Sequence, residues 1–327
     1  MKRSFTGILI LLVLMIPAFA FSIETDAKDA FAMPAGLDAF IMYYRLFTAN
    51  TKYVNGSVDN STTYDSAKAN IIIARAVHYG KFIGPSVYNI NVLLPMGMQE
   101  VETRGGSTPV TGNFKQTASG IGDMTLQAAV FTPLWGKTAP SGHLGFPDQL
   151  DFTIAEYITF PTGEYRESRL INMGDRRYAC TSQMALGLRL GNLWLSVVGD
   201  IEFFTDNRDF DPSLVAGLPE GSLNKVDLKK DTQYSYQGHI AYDFSKTIEL
   251  GVSAIHVSGG NTHFDGTQLG LTDYVNLTGN QGETYLKFGA GFMLSPNFQL
   301  LLQYRQDIEN KNGYRFSGPQ GRLSYLF

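Results

Sequence analysis

Residues 234–244 have the sequence YSYQGHIAYDF, in which apolar and polar side chains alternate. Successive side chains of a β-strand point to opposite sides, so this alternation gives the strand one apolar and one polar face. The apolar face carries Tyr234, Tyr236, Ile240, Tyr242 and Phe244, and the polar face carries Ser235, Gln237, His239 and Asp243. The separation of Tyr234 and Phe244 along a strand tilted by about 40° is about 25 Å of height. Aromatic side chains at that spacing match the two interfaces of a bilayer, so the segment predicts a membrane-crossing strand.

The same alternation recurs along the whole chain and predicts an all-β protein with about twelve strands. Each predicted strand has about the length that crosses a bilayer at a tilt. The strands are expected near residues 37–47, 69–79, 86–95, 121–133, 149–160, 177–190, 193–204, 233–244, 247–257, 283–294, 297–306 and 319–327. A soluble β-sandwich also alternates, but the paired aromatic residues favour a transmembrane antiparallel β-barrel.

Short and long connections alternate between these strands along the chain. The short connections are 80–84, 191–192, 245–246 and 295–297, and the long polar ones are 48–68, 96–120, 161–176, 205–232, 258–282 and 307–318. Outer-membrane barrels have short periplasmic turns and long outer loops, so this pattern supports a barrel with both termini in the periplasm. Segment 134–148 is an exception, because it is long where a short turn is expected.

Both ends of the chain carry export and assembly signals. Lys2 and Arg3 precede an apolar run, and residues 18–20 (AFA) form a cleavage site, so residues 1–20 are predicted to be a signal peptide. We expect residues 21–36 to form an N-terminal periplasmic segment and residues 37–327 to form the barrel. At the other end Leu323, Tyr325 and the terminal Phe327 occupy alternating positions, which resembles the signal that the barrel-assembly machinery recognises.

Composition excludes several classes of function. The net charge is −4 without a basic block, so nucleic acid is not an expected partner. Cys180 is the one cysteine, so an intrachain disulfide and a cysteine-rich metal site are excluded. No metal-ligand spacing and no phosphate-binding glycine loop occurs, so no cofactor is predicted. The expected partners are outer-membrane lipids, the barrel-assembly machinery, a small-molecule solute and, as an open alternative, a second copy of the chain.

The polar faces of the strands would line the barrel lumen with both signs of charge. The main candidates are Asn89, Asn91, Asp123, Gln127, Asp200, Glu202, Gln237, His239, Lys287, Gln303 and Arg305, and the same parity includes Asp151, Gln183, Arg189 and Asp243. They form either a mixed-polarity solute pathway, with Asp200, Glu202 and Arg305 at a constriction, or a self-satisfied polar network that fills the barrel. Glu156 has the lipid-facing parity, which predicts either a β-bulge beside it or an oligomer contact.

Short motifs spread in order over nearly the whole mature chain resemble the outer-membrane family named for the MetA pathway of phenol degradation, also called SphA-like. They are residues 34–39 (PAGLDA), 53–56 (YVNG), 120–123 (GIGD), 160–165 (FPTGEY), 172–177 (NMGDRR), 259–266 (GGNTHFDG) and 300–304 (LLLQY) with 312–313 (NG). The resemblance implies an outer-membrane barrel that moves small, often hydrophobic or aromatic, compounds across the membrane.

One enzymatic alternative rests on His256 and Ser258. Residues two apart on a strand share a face, and here the parity is that of the lipid-facing Leu250 and Val252. This arrangement resembles outer-membrane phospholipase A and lipid A deacylases, which use an H-x-S motif on the barrel exterior. A hydroxyl nucleophile needs a base, and the base needs an orienting partner, for which no residue of the right parity is evident. A structural or surface-binding barrel is the third alternative.

Overall fold

The computed structural model describes residues 24–105, 113–136, 148–213, 215–270, 273–279 and 281–327. The predicted signal peptide, residues 1–20, lies outside these ranges. The elements in chain order are β1 (Asp38–Ala49), β2 (Lys52–Val54), β3 (Ser57–Val58), β4 (Tyr64–Lys81), β5 (Val87–Arg104), β6 (Asn113–Ile121), β7 (Thr125–Gly136), β8 (Gln149–Thr159), β9 (Ala179–Leu190), β10 (Leu193–Phe204), β11 (Asn207–Phe210), β12 (Val226–Lys230), β13 (Gln233–Asp243), β14 (Ile248–Gly259), β15 (Thr262–Asp265), a 3₁₀ helix (Thr267–Leu269), β16 (Tyr274–Asn276), β17 (Gln281–Ser295), β18 (Phe298–Asn310), β19 (Gly313–Tyr314) and β20 (Ser317–Leu326).

The wall of the molecule is a closed antiparallel barrel. Around it the strand order is β1, β4, β5, β7, β8, β9, β10, β13, β14, β17, β18 and β20. The last strand returns to the first, with Ala39 opposite Leu326, which closes the sheet. Strand β6 continues the line of β7 along β5, so the two count as one wall strand. The described residues thus confirm the predicted barrel of about twelve strands.

Most strands lie within two or three residues of their predicted bounds, and the first long hairpin is the main difference. Strands β4 and β5 each have 18 residues, and β6 adds a third strand to their upper part, where residues 96–120 were expected to form a loop. Ala67, Val101 and Ala118 from the three strands pack in one buried cluster. This apolar packing keeps the strands paired beyond the length that the bilayer requires, and the prediction of an irregular loop at 96–104 and 113–120 was wrong.

Large apolar side chains cover the outer surface. Tyr234 and Phe244, at opposite ends of β13, are 41% and 62% exposed, as expected for side chains that meet lipid at the two interfaces. Near the short-turn end the rings of Phe298 and Tyr325 lie 4.8 Å apart. We call this end, which carries the short turns and the termini of the barrel, the turn end, and the opposite one the loop end. Barrels of this class place the turn end in the periplasm.

Glu156 lies on the exposed outer face of β8, as its parity predicted. The register of β8 against both neighbours is regular around it, opposite Ala128 and Ser182, so the bulge expected beside it is not found. Ser182 Oγ donates a hydrogen bond to Glu156 Oε2 at 2.8 Å, which satisfies part of the carboxylate. The oligomer contact stays a prediction.

The loop end is closed over by folded loops rather than by irregular chain. Strands β11, β12, β15 and β16 form a small sheet, and β19, β2 and β3 form another. The first sheet has its own apolar core, which includes Phe210, Leu228 and Phe264. This core gives the long outer connections a fixed shape above the lumen.

The N-terminal segment differs from its prediction. Residues 21–36 were expected to lie in the periplasm, outside the barrel. The structure instead places residues 24–32 inside the lumen, where Thr25 bonds to Gln237 and Ala32 bonds to Asp151. Buried charges and amides on the lumen face of the wall, such as Lys287 and Gln237, bond to this segment, and this complementarity explains the insertion. The chain turns at Gly36, whose φ of +88° suits glycine, and then enters β1.

Candidate functional site: the barrel lumen

One cavity of about 550 Å³ runs inside the barrel. Met293 and Leu326 line it at the turn end, and Thr262 and Leu277 line it in the folded loops. The cavity therefore has walls from both ends of the barrel. The N-terminal segment narrows it from the turn end, and residues 160–178, called here the 160–178 loop, narrow it from the loop end.

The Glu24 carboxylate is the most strongly bound group of the N-terminal segment. Arg45 and Arg305 each approach it to 3.3 Å, and Lys287 approaches it to 3.6 Å. The Tyr285 hydroxyl donates to it at 2.7 Å. Burial alone would raise the pKa of Glu24, but the three cations and this hydrogen bond more than offset that effect and lower the pKa to about 2. Glu24 is thus a fixed negative charge at neutral pH.

Asp26 ties the segment to the last strands of the barrel. It lies 3.2 Å from Lys287 and 3.0 Å from Arg322, and Gln303 donates to it at 2.7 Å. Burial opposes ionisation here too, but the two cations lower the pKa of Asp26. Glu24 and Asp26 together form the acidic end of the segment.

The next residues of the segment reach β13 and β14, of which β14 adjoins β17 in the barrel, and then β10. Lys28 Nζ lies 2.6 Å from both Asp243 and Glu249. Two residues further on, the segment becomes apolar, and the Phe31 ring packs edge-on against Trp194 with centroids 4.8 Å apart. The segment therefore spans the lumen with its charges and its apolar side chains matched to different parts of the wall.

Five of the candidate lumen residues bind this segment. Thr25 contacts Gln237 and His239 at 3.1 Å each, while Lys287, Gln303 and Arg305 contact its two carboxylates. Arg305 also pairs with Glu283 and with Asp307, so three carboxylates surround it. The structure thus places the sequence-predicted cation Arg305 in an anchoring cluster. Its predicted role at a constriction stays a prediction.

Three further candidates, Asn89, Asn91 and Gln127, form a hydrogen-bond network of neutral amides around Arg75, which was not predicted from the sequence. Arg75 Nε donates to Asn91 at 3.2 Å, and Arg75 Nη2 donates to Gln127 at 3.1 Å. Asn91 in turn donates to Asn89 at 3.2 Å, and the Tyr43 hydroxyl accepts from Arg75 Nη1 at 3.1 Å. A guanidinium does not lose its proton in a protein, so Arg75 is a cation whose hydrogen-bond partners here are neutral.

Asp200 and Glu202 lie on the lumen side of β10. Asp200 accepts a hydrogen bond from Gln237 at 3.2 Å and so extends the network that holds Thr25. Glu202 lines the cavity. Their proposed part in a constriction remains a prediction.

Asp123 does not lie within a strand, because β6 ends at Ile121 and β7 begins at Thr125. Its two carboxylate oxygens accept from the backbone N–H groups of Gly163 at 2.8 Å and Asp175 at 2.7 Å. A side chain at Gly163 would come within 2.7 Å of the Gly122 backbone. The break and the small residues let the 160–178 loop lie against the wall, and Asp123 fastens it there.

The part of the cavity beneath this loop contains two residues, Arg177 and Tyr165, that were not predicted from the sequence. Arg177 is 5% exposed and lines the cavity, and its Nε and Nη1 have no hydrogen-bond partner among the described residues. The Tyr165 hydroxyl is also buried without a partner, and burial raises the pKa of Tyr165 to about 12. Both residues lie in a loop, where strand parity gives no signal.

The other wall of the cavity is apolar. Ile41, Ile71, Ile73, Leu93 and Phe131 face the lumen from β1, β4, β5 and β7. These apolar side chains share the inner faces with polar residues such as Arg75 and Gln127, so a search limited to polar lumen residues does not find them. The runs Ile71-Ile72-Ile73 and Leu93-Leu94 are the signal that was available.

On the barrel exterior, His256 has a hydrogen-bond partner that was not predicted from the sequence. His256 Nδ1 lies 2.9 Å from Thr284 Oγ1, which donates to Glu309 at 3.3 Å. No hydrogen bond joins His256 to Ser258 among the residues described here. The histidine has an orienting relay but is not bonded to the hydroxyl that it would activate.

Within the described ranges, no three His, Cys, Asp or Glu side chains are grouped to hold a metal ion. No helix in the described part of the chain is long and apolar enough to cross a membrane.

Comparisons with known proteins agree with this geometry. The model of the family described as "Putative MetA-pathway of phenol degradation" matches residues 49–324. The crystal structure of the COG4313 outer membrane channel from Pseudomonas putida F1 is similar, with a TM-score of 0.73 and 24% identity over 93% of this chain and 99% of that chain. No curated protein sequence matches the chain.

Other solved barrels are more distant. The transport unit of the autotransporter AIDA-I from Escherichia coli has a TM-score of 0.47 and 8% identity over 99% of this chain and 97% of that chain. A TodX monoaromatic hydrocarbon channel mutant has a TM-score of 0.46 and 11% identity, over 93% of this chain and 92% of that chain. The closed barrel and its apolar outer surface place the chain in the bacterial outer membrane.

Proposed function

The chain belongs to the MetA-pathway phenol-degradation family, and from this membership and the geometry of the lumen we propose that it is an outer-membrane channel for small compounds with an apolar or aromatic body. The observation that carries the proposal is the cavity of about 550 Å³, which residues from both ends of the barrel line. A polar network that merely filled the barrel would leave no such space.

The lining supports the choice of solute. Ile71, Ile73 and Leu93 offer an apolar surface on one side of the cavity. On another side, Gln127 accepts from Arg75, and Asn89 accepts from Asn91, which itself accepts from Arg75. These bonds leave few free groups on that side to replace the water around a sugar. Transfer of an apolar solute from water to such a surface is favourable, whereas transfer of a sugar leaves hydroxyls unpaired.

The N-terminal segment is part of the proposed pathway. It crosses the turn end of the lumen between charged anchors, so it narrows the route without filling it. We expect its removal to widen the channel and to lower its selectivity.

Transport by purified protein in liposomes tests the function. Vesicles that contain the full mature chain should take up benzyl alcohol faster than glucose and faster than protein-free vesicles. A variant that lacks residues 24–32 should conduct more ions and discriminate less between the two solutes. Equal uptake of both solutes with and without protein would overturn the proposal.

The wall carboxylates provide a second test of the pathway. Asp200 and Glu202 share a parity on β10, and charges on the wall of a narrow pore set its ion selectivity. The variant Asp200→Asn/Glu202→Gln should shift the reversal potential of the channel towards anions. An unchanged reversal potential would remove both residues from the pathway.

Assembly partners complete the proposal. The terminal residues Leu323, Tyr325 and Phe327 match the signal for the barrel-assembly machinery, and all three side chains are exposed on the outer face. A homo-oligomer that covers Glu156 would remove its carboxylate from lipid. Cross-linking in native membranes tests this contact.

The lipid-hydrolase alternative is the weaker one. His256 bonds to Thr284 and lacks a bond to Ser258 among the described residues. The family membership also favours a channel.

A further inference from the structure

Several of the cationic side chains that line the cavity have no carboxylate partner among the described residues. Seven cationic residues line it, and three of them pair with carboxylates of the N-terminal segment or the wall: Lys28, Arg45 and Arg322. Three arginines that remain, Arg75, Arg169 and Arg177, have no carboxylate within 4.0 Å in the described part of the chain. Lys230, the seventh, packs over the Phe204 ring at 3.9 Å.

Arg75 and Arg169 donate hydrogen bonds to neutral acceptors, whereas two nitrogens of Arg177 have no acceptor among the described residues. Arg75 donates to two amides and a hydroxyl, and Arg169 donates to the backbone oxygen of Thr117 at 3.2 Å. Arg177 is more than nine-tenths buried, and its Nε and Nη1 have no hydrogen-bond partner among the described residues. A guanidinium does not lose its proton in a protein, so each remains a cation.

The carboxylates nearby do not neutralise Arg177. Asp175 and Glu202 also line the cavity, but neither forms an ion pair with Arg177 within 4.0 Å in the described part of the chain. Both carboxylate oxygens of Asp123 already accept hydrogen bonds from backbone N–H groups. A buried cation without a partner is costly, and a site that leaves one unpaired is suited to an anion that arrives with a ligand.

We propose that the cavity binds an organic carboxylate with a body about the size of one aromatic ring, with its carboxylate directed to Arg177 and its body against the apolar wall. The proposal rests on the channel function proposed above and names its substrate class. Ile71, Ile73 and Leu93 supply the apolar surface. The Tyr165 hydroxyl, which lacks a partner, is a second donor beside Arg177.

Size agrees with this assignment. Ligand sites in proteins have volumes of about 300–1,000 Å³, and the cavity falls in that range. Arginine is the residue that best matches the planar geometry of a carboxylate, since two parallel N–H groups can donate to its two oxygens. Neutral aromatic compounds would use the apolar wall alone.

Benzoate and benzamide are the probes, because they have nearly the same shape and differ in charge. Their uptake into liposomes that contain the mature protein should favour benzoate about tenfold after correction for protein-free vesicles. Arg177→Gln should remove this preference, so that benzoate uptake falls to the level of benzamide uptake. Arg176→Gln is the matched control, since Arg176 is half exposed and pairs with Asp209 at 3.1 Å outside the cavity.

The outcomes separate the two proposals. Loss of benzoate preference in Arg177→Gln but not in Arg176→Gln supports the carboxylate site. Protein-dependent uptake of both probes with no preference, or a preference that Arg177→Gln does not change, overturns the site and leaves the channel. Absence of protein-dependent uptake for either probe overturns the channel itself. If Arg177→Gln fails to fold, as judged by the mobility of unheated protein on electrophoresis, Arg177→Lys tests the same preference with the charge kept and the planar group removed.

Discussion

Arg322 Nη1 lies 3.0 Å from Asp26 Oδ2, so the last strand of the barrel holds a segment that precedes it by 296 residues in the chain. Lys287 from β17 reaches the other oxygen of the same carboxylate at 3.2 Å. One aspartate thus joins the N-terminal segment to two of the closing strands, so the lining of the lumen combines residues from both ends of the barrel sequence.

Asp26→Asn should loosen the N-terminal segment. The change removes the negative charge that faces Lys287 and Arg322, and removal of one partner from a buried ion pair costs about 3–5 kcal/mol. We expect a several-fold increase in single-channel conductance, with frequent transitions between two levels. Asp273→Asn, in an exposed loop, is the control and should behave like the unchanged protein. A steady, unaltered conductance of Asp26→Asn would show that the other anchors suffice.

Acid should release the same segment. The pKa of Glu24 is lowered from 4.5 to about 2, and that of Asp26 is lowered as well, because arginines and lysines surround both. A depressed pKa contributes stability above the ordinary pKa, and that stability is lost as the pH falls towards the folded value. Conductance should therefore be constant from pH 8 to about 5 and rise between pH 4.5 and 2. The variant that lacks residues 24–32 should lack this rise.

The link between Asp123 and the 160–178 loop gives a third prediction. Asp123→Ala removes the acceptor of two backbone N–H groups, and hydrogen bonds to a charged group contribute about 1.5–3 kcal/mol each. The loop contains Arg166, Arg169 and Arg176, so trypsin should cleave it several-fold faster in this variant. Asp206→Ala, on an exposed connection, is the control. Equal cleavage rates in the two variants would mean that the apolar contacts of the loop hold it without Asp123.

The period-two alternation was enough to predict the barrel. The pattern of Tyr234 to Phe244 arises from the membrane itself, because lipid selects apolar side chains on every second position. The same parity assigns Gln237 and His239 to the inner face, and both side chains are buried. Local pattern gives the wall and its two faces.

The contents of the lumen could not be predicted in this way. The contact of Thr25 with Gln237 joins residues 212 apart in the chain, and nothing in the local sequence of either residue shows it. Arg177 lies in a loop without periodicity, and the apolar inner face at Ile71 and Ile73 defeats a search for polar lumen residues. These features depend on which distant segments meet inside a closed barrel.

Phe327 is expected to act in assembly rather than only as a lipid contact. It has the same exposed fraction as Phe244, 62%, and both lie at the turn end, so Phe244 is a matched control. Phe327 also exchanges two backbone hydrogen bonds of 2.9 Å with Asp38, which join the last residue to the first strand. Phe327→Asp should lower the amount of protein in the outer membrane several-fold, and Phe244→Asp should lower it much less. Equal losses would assign the effect to lipid contact alone.

The last prediction concerns the exterior histidine. His256 is oriented by Thr284 and, through it, by Glu309, which is the kind of relay that a general base needs. A hydrolase would also need the base to hold the nucleophile, and the described residues show no bond from His256 to Ser258. Ser258→Ala should therefore leave solute uptake unchanged, and phospholipids in mixed micelles, with or without calcium, should not be cleaved by either protein. Lipid cleavage by the unchanged protein that disappears in Ser258→Ala would make the barrel a lipid hydrolase and would reverse the order of the two functions.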